Sequence, residues 1–205
     1  MALQWREDYA NKHNLPIDYT NDFGMKFTLV PPGQYLIGSP NFEKSRSKIE
    51  TQHLVTLTKG YYIAITEATQ KDWSQINNDN PSKFKDLFLP VEHVLYEEAA
   101  KFAKEYTKDG FIKSRLPTEA EWEIACRAGT DTPFNAPAPL EDLGWFHKNS
   151  EGKPHPVATK LSNSFGIYDM HGNVWEWTSD TSSEYPEGPQ IDPKVTNTGG
   201  GNRVK

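Results

Sequence analysis

Cysteine is nearly missing from this chain: Cys126 stands alone among 205 residues. An internal disulfide, an all-cysteine metal cluster and any reaction that needs two thiols of the same chain are excluded at once. Basic charge is short as well. Against 28 Asp and Glu there are 22 Lys and Arg, giving a formal net charge of -6, and no basic stripe runs where a phosphate backbone could lie, so nucleic acid is not an expected partner. Long apolar runs are also lacking. Residues Met1 to Thr20 interleave Trp5, Arg6, Glu7, Asp8 and Lys12, which leaves no stretch for secretion or membrane insertion and makes the cytoplasm the expected location. None of the six histidines belongs to a His-x-x-x-His pair, and His147 and His155, which flank one loop, read as surface or hydrogen-bonding residues. The GGGN of the tail lacks the Lys-Ser/Thr and the preceding strand of a phosphate loop. No internal repeat is evident.

Aromatic rings, in contrast, are plentiful. Six Trp, nine Tyr and ten Phe within a 36% hydrophobic composition put much of the buried area on rings whose polar edges need partners, in a chain long enough for one domain. Met25 to Gly38 reads as two strands about Pro31, Pro32 and Gly33, a hairpin. Residues His53 to Ile65 alternate about Lys59-Gly60, predicting a second pair of strands. Helical spacing follows at Glu67 to Ile76 and again at 95–108, where Gly110 would cap the end. A third helix is marked by the Thr118/Glu121 capping box, by Arg127 in the last turn and by Gly129. It carries Trp122, Ala125 and Cys126 towards the core. After Gly129, repeated prolines predict loops and short strands, and the tail from Gln190 to Lys205 has almost no apolar content.

The stretch Asp169 to Glu176, DMHGNVWE, has the makings of an oxygen-rich cation loop. Asp169 and Glu176 offer carboxylates, and Gly172 lets the backbone turn its carbonyls inward. On these residues alone the alternative is a hydrogen-bonded turn whose carboxylates cap backbone amides, the commoner use. Trp175 and Trp177 bracket Glu176 and, in a strand, would face one way together into the core. An exposed ring platform is the minority reading. On the third helix, Glu121 has a cap to make, and Glu119 and Glu123 point to other sides as solvated or structural groups.

Two stretches read together, RLPTEAEWEIACRAG (115–129) and NSFGIYDMHGNVWEWTSD (163–180), closely resemble the formylglycine-generating enzyme, or sulfatase-modifying factor, family. GMKFTLVPPGQYLIGSP, ITEATQKDW, NPSKF and His155-Pro156-Val157 agree with it, and the resemblance runs from about Asp22 to about Asp180. It implies an α+β, irregular, loop-rich domain of the C-type-lectin-like class, with residues 1–21 as an N-terminal extension and 22–205 as the sulfatase-modifying factor domain. It also implies a structural calcium held by the side chains of Asp169 and Glu176 and the backbone oxygens of Gly172 and Val174. A second calcium site of the family falls near Trp145 to Gly152, where the loop WFHKNSEG is shorter and its ligands do not align.

The implied activity is oxidation of a cysteine of a protein substrate, a sulfatase, to formylglycine with molecular oxygen and copper held by a pair of cysteines. That pair and an Arg-Gly-Gly-Ser-type strand lie, in the family, downstream of the position of Val204-Lys205, so the expectation is a C-terminally truncated domain that names no catalytic residue of its own. Copper is expected only where those cysteines are present. Cys126 cannot replace them, because a cysteine on an apolar helix face is usually a small buried hydrophobe. His93, Leu95 and Tyr96, where the family more often has Asn, Ser and Trp, mark a divergent member. The alternative function is a non-catalytic module that binds a peptide or glycan.

Overall fold

The computed structural model describes residues 2–43, 46, 49–106, 113–132, 134–135 and 137–196. Its elements in order are α1 (Ala2–His13), β1 (Asp18–Thr20), β2 (Lys26–Val30), β3 (Gly33–Ile37), β4 (His53–Leu57), β5 (Tyr61–Ala64), α2 (Gln70–Trp73), α3 (Tyr96–Glu105), α4 (Glu119–Arg127), α5 (Leu140–Leu143) and β6 (Gln190–Ile191). Beyond α4, among the described residues, only the four-residue α5 and the two-residue β6 are regular, in keeping with the run of prolines. No described helix is long and apolar enough to cross a membrane.

Strands β2 to β5 fall where the sequence places them, β1 and β6 lie in segments for which no particular strand was expected, and neither expected hairpin forms. β2 pairs antiparallel with β1 and β5, while β3 pairs antiparallel with β4 and β4 runs parallel to β6. The chain therefore crosses between two three-stranded sheets at both junctions. At the first, Pro31 and Pro32 have no amide hydrogen to start a ladder, and Tyr35 Oη donates to the Pro31 carbonyl at 2.6 Å. At the second, Gly60 brings backbone so close that a Cβ would sit 3.1 Å from the Val30 oxygen and 2.8 Å from the Tyr9 ring.

Helix α1, which the sequence left as an extension, clasps both crossings. Its Trp5 ring covers Gly33, where a Cβ would lie 1.6 Å from the indole, and stacks on Tyr35 at 5.7 Å. Tyr9 covers Gly60, and Arg6 Nη1 donates to Thr28 Oγ1 and to the Phe165 carbonyl, both at 3.1 Å.

The helices owe their ends to caps. α4 has the predicted box: Thr118 Oγ1 accepts from Glu121 N and Glu121 Oε2 accepts from Thr118 N, worth about 1 kcal/mol. Its left-handed terminal residue is Ala128 at φ 47°, one before Gly129. α2 is shorter than the predicted 67–76, because an unforeseen box, Thr69 with Asp72, starts it at Gln70. α3 lies inside the predicted 95–108; Gly110 falls outside the described residues.

Two apolar clusters fill the interior. One joins Val30, Ile37, Val55 and Leu57 of the sheets to Ile124 and Ala125 of α4 and to Phe165 and Ile167. The other packs Trp73 of α2 on Phe102 of α3 at 5.2 Å, with Met25 and Tyr106. Full burial of a side chain such as Ile124, 1% exposed, contributes roughly 2 kcal/mol.

Each cluster is tied by the same five-residue device, so the sequence does hold a short repeat: Asn21-Asp22-Phe23-Gly24-Met25 and Asn163-Ser164-Phe165-Gly166-Ile167. In both, the Asn Oδ1 accepts from the amides two and four residues on. The glycine, at φ 86° or 80° with open space around it, closes the turn. The Asn Nδ2 then hooks a helix end: Asn21 reaches the Tyr106 carbonyl behind α3, and Asn163 reaches Ala125 and Cys126 in α4. Five residues with two variable positions are too short to stand out as a repeat until both are seen performing one task.

Candidate functional site

The loop 169–176 is held by a crossing of two backbones. Gly144 and Gly172 permit it: a Cβ on Gly144 would lie 2.5 Å from the His171 oxygen, and one on Gly172 2.1 Å from the Trp145 oxygen. Asn173 N then donates to the Trp145 carbonyl at 2.7 Å. Asp169 and Asn173 both take the left-handed conformation, φ 59° and 66°, so the segment is an irregular loop and not the strand that would have aimed Trp175 and Trp177 the same way. The two rings part company. Trp177 donates from Nε1 to the Val94 carbonyl at 3.0 Å, whereas Trp175 is 84% exposed, which corrects the expected burial of both.

Of the four expected calcium ligands, Asp169 is 2% exposed. Its Oδ2 accepts from Ala158 N at 2.8 Å, while Oδ1 is buried with no hydrogen-bond partner. A buried carboxylate oxygen left unmatched costs several kcal/mol unless a cation or a proton completes it. Among the described residues no hydrogen bond ends on the Gly172 or the Val174 carbonyl. Glu176 is half-buried as a residue with its carboxylate inside, and that burial, with Asp169 nearby, pushes it up to about 7. The donor set, two carboxylates and two unclaimed carbonyls on a tight loop, is the hard-oxygen chemistry that calcium prefers and so fits that ion. No three Asp, Glu, His or Cys side chains among the described residues group closely enough to hold an ion by themselves, so backbone oxygens would have to complete the shell.

A residue the sequence reading passed over stands behind the loop. Glu67, 6% exposed, accepts from Asn173 Nδ2 at 2.8 Å and from Val174 N at 3.1 Å. Burial first, then the Glu176 and Asp169 charges, hold it well above the usual carboxylate range. Its only signal in the sequence was its place in ITEATQKDW, where spacing suggested a helix start.

Other sequence candidates take structural roles. In the loop Trp145 to Gly152, where no second-site ligands align, Asn149 turns its side chain back on the loop itself, to Phe146 N and the Gly144 carbonyl; His155 stacks on Trp145 at 3.7 Å. Burial pushes the Cys126 thiol up to about 12, as expected of an inert cysteine. Glu121 forms a two-pronged pair with Arg115, at 2.6 and 2.7 Å, besides its cap. Glu123 accepts from Gly38 N, Arg127 Nε and Tyr185 Oη.

Two clefts meet at this loop and share Trp122, Met170, Val174, Trp175 and Glu176. One, of about 460 Å³, is walled by rings, among them Phe27, Trp73, Phe102 and Trp177. The other, of about 770 Å³, is lined by Glu43, Glu50, Glu119 and Glu123 with Arg127 and Tyr185. Trp175 thus stands in the rim common to both.

Comparison with known proteins matches residues 19–204 to the sulfatase-modifying factor enzyme 1-like domain. The chain belongs to that family. The chain is 28% identical to the chaperone protein LppX of Paenibacillus barcinonensis, over 84% of this chain and 80% of that one. It is 36% identical to the formylglycine-generating enzyme of Mycobacterium tuberculosis over 52% of this chain and 33% identical to the inactive C-alpha-formylglycine-generating enzyme 2 of Mus musculus over 53%. It covers only 38% of the length of each of these two relatives. Among solved structures, PvdO from Pseudomonas aeruginosa superposes with a TM-score of 0.77 at 23% identity, over 88% of this chain and 81% of that one. Treponema denticola variable protein 1 does so with 0.73 at 27%, over 86% and 82%. The α+β, loop-rich architecture is therefore that of the sulfatase-modifying factor domain.

Proposed function

We propose that this sulfatase-modifying factor domain binds an extended segment of a protein in the ring-walled cleft beside Trp175, and that, where a copper-holding cysteine pair is also present, the group acted on is a cysteine of that segment, oxidised to formylglycine by molecular oxygen. The observation that carries the binding half is Trp175 itself, 84% exposed at the rim of a cleft walled by Phe27, Trp73, Phe102 and Trp177. Exposed rings next to apolar clefts are the usual anchors of peptide recognition. A sulfatase is the substrate that the family resemblance suggests, and the cytoplasm is the compartment proposed. Calcium at Asp169, Glu176 and the Gly172 and Val174 carbonyls would fix the loop that carries Trp175, supplying positive charge where Asp169 Oδ1 has no partner.

Copper does not fit the residues of this chain. Cys126 is the single thiol, lies against the core and is pushed far from ionisation, so no redox step is assigned to it. What the chain's own groups do is bind and orient: rings exclude water from the cleft, and the loop presents Trp175.

A second reading, a binding module without redox chemistry, is favoured by the lone inert thiol and by similarity to a chaperone protein over most of the chain. One experiment separates the two. The chain is incubated with a cysteine-bearing sulfatase peptide, oxygen, copper and calcium; binding is followed by fluorescence anisotropy and aldehyde by hydrazide capture. Binding that is lost in Trp175→Ala, with the fold unchanged, supports the cleft. Aldehyde formed by this chain alone would overturn the exclusion of Cys126, and absence of peptide binding would overturn both readings.

A further inference from the structure

Glu67 is not a member of the proposed calcium set, and the role inferred for it rests on that set holding the ion. It precedes α2, over one hundred residues from the loop, and yet its two oxygens take the Asn173 Nδ2 and Val174 N hydrogens between Gly172 and Glu176. Bracing alone accounts for a carboxylate that meets two donors. It does not account for Glu67 lining one cleft with Glu176, which shares the other with Asp169 and its unpartnered Oδ1, when among the described residues none of the three has a salt bridge to Lys, Arg or His. Other polar contacts at the loop are to neutral groups, among them Ala158 N on Asp169, the His155 amide and carbonyl on Asn173, and Asn135 N on His171. Buried carboxyl groups without a counter-charge take up protons, and stay ionised together only where something cationic repays them.

We infer that Glu67 is a positioning residue of the cation loop that also acts on the bound ion through its charge, as a third anion behind the two ligating carboxylates. It orients the Val174 peptide through the amide, and it deepens the negative potential without entering the shell. A charge acting at a distance has a signature that a brace lacks: its effect scales with the charge of the ion.

The test uses the whole chain with calcium chloride and terbium chloride, read by titration calorimetry and by terbium luminescence excited through tryptophan. Glu67→Gln keeps an acceptor and the side-chain shape but removes the charge. The expected result is roughly a tenfold loss of calcium affinity and roughly a thirtyfold loss for terbium, because the Coulomb energy grows with ionic charge. Equal losses for the two ions, or none, would leave Glu67 a brace and overturn the inference. Glu67→Asp keeps the charge while withdrawing it from both amides, so the terbium-to-calcium ratio stays near that of the unaltered chain; a ratio shifted as far as in Glu67→Gln also overturns it. Asn173→Ala removes three side-chain hydrogen bonds, one of them to Glu67, and no charge, and is expected to leave the ratio unchanged. Should the unaltered chain bind neither ion, the calcium reading itself falls; should it bind both while Glu67→Gln behaves identically, only this inference does.

Discussion

Asn163 should be among the most sensitive single positions in the domain, and its contribution can be worked out bond by bond. The side chain is 6% exposed and makes four hydrogen bonds: to the Ala125 and Cys126 carbonyls at 2.8 and 3.1 Å, and from the Phe165 and Ile167 amides at 2.9 and 3.1 Å. In Asn163→Ala the Cys126 carbonyl keeps the Asn135 Nδ2 donor at 3.0 Å, so three backbone groups lose a partner in a dry site. At about 1 kcal/mol per group the loss is roughly 3 kcal/mol, more if no water enters. For a chain of this size that lowers Tm by roughly 6 to 12 °C. Urea unfolding followed by circular dichroism measures it, with an unchanged slope expected if only stability has moved. Asn21→Ala, which removes one carbonyl contact and two amide contacts at the equivalent turn, should give a similar loss. A change below about 1 kcal/mol at both sites would refute the idea that these two turns pin the helices.

Gly172→Ala puts a methyl into the Trp145 carbonyl. The crossing must open, and calcium should no longer raise the melting temperature, whereas in the unaltered chain a saturating excess raises it. Burial, then Asp180, Glu123 and Glu50, push Glu119 up to about 7 from an ordinary 4.5, against the Tyr185 hydroxyl bond. The folded form therefore holds this proton more tightly than the unfolded form. The penalty is absent below about pH 4.5, grows as pH rises and is complete above about 7, so Glu119→Gln should flatten that part of the stability-against-pH curve. Cys126 should resist iodoacetamide at pH 8 in the folded chain and react once it is unfolded in urea; rapid labelling without denaturant, seen by intact mass, would contradict its burial.

The helices were legible because their signals are local. Thr118 and Glu121 are three residues apart and need no tertiary partner to form a box. Strand positions could be read for the same reason, from alternation and turn residues, but their pairing could not. Antiparallel alternation says which residues share a face, not which neighbour supplies the ladder, so β2 with β3 looked like a hairpin until Pro31-Pro32 carried the chain into the other sheet. Helix α1 was missed because its contacts, Trp5 on Gly33 and Tyr9 on Gly60, are side chains reaching glycines far along the chain, and its own pattern has no continuous apolar face.

At the candidate site, Asp169, Gly172, Val174 and Glu176 lie within eight residues and could be read as one loop. Glu67 could not, because its link to Asn173 and Val174 spans over one hundred residues and a lone glutamate before a helix carries no mark of it. Sequence by itself determined the family, the capped helices, the single inert thiol and the acidic loop, all set by residue type and short spacing. Tertiary structure alone decided that two sheets exchange strands, that Trp175 faces solvent while Trp177 does not, and that a third carboxylate stands behind the loop. Those outcomes depend on which distant backbone groups find each other as the chain closes, and that is a property of packing.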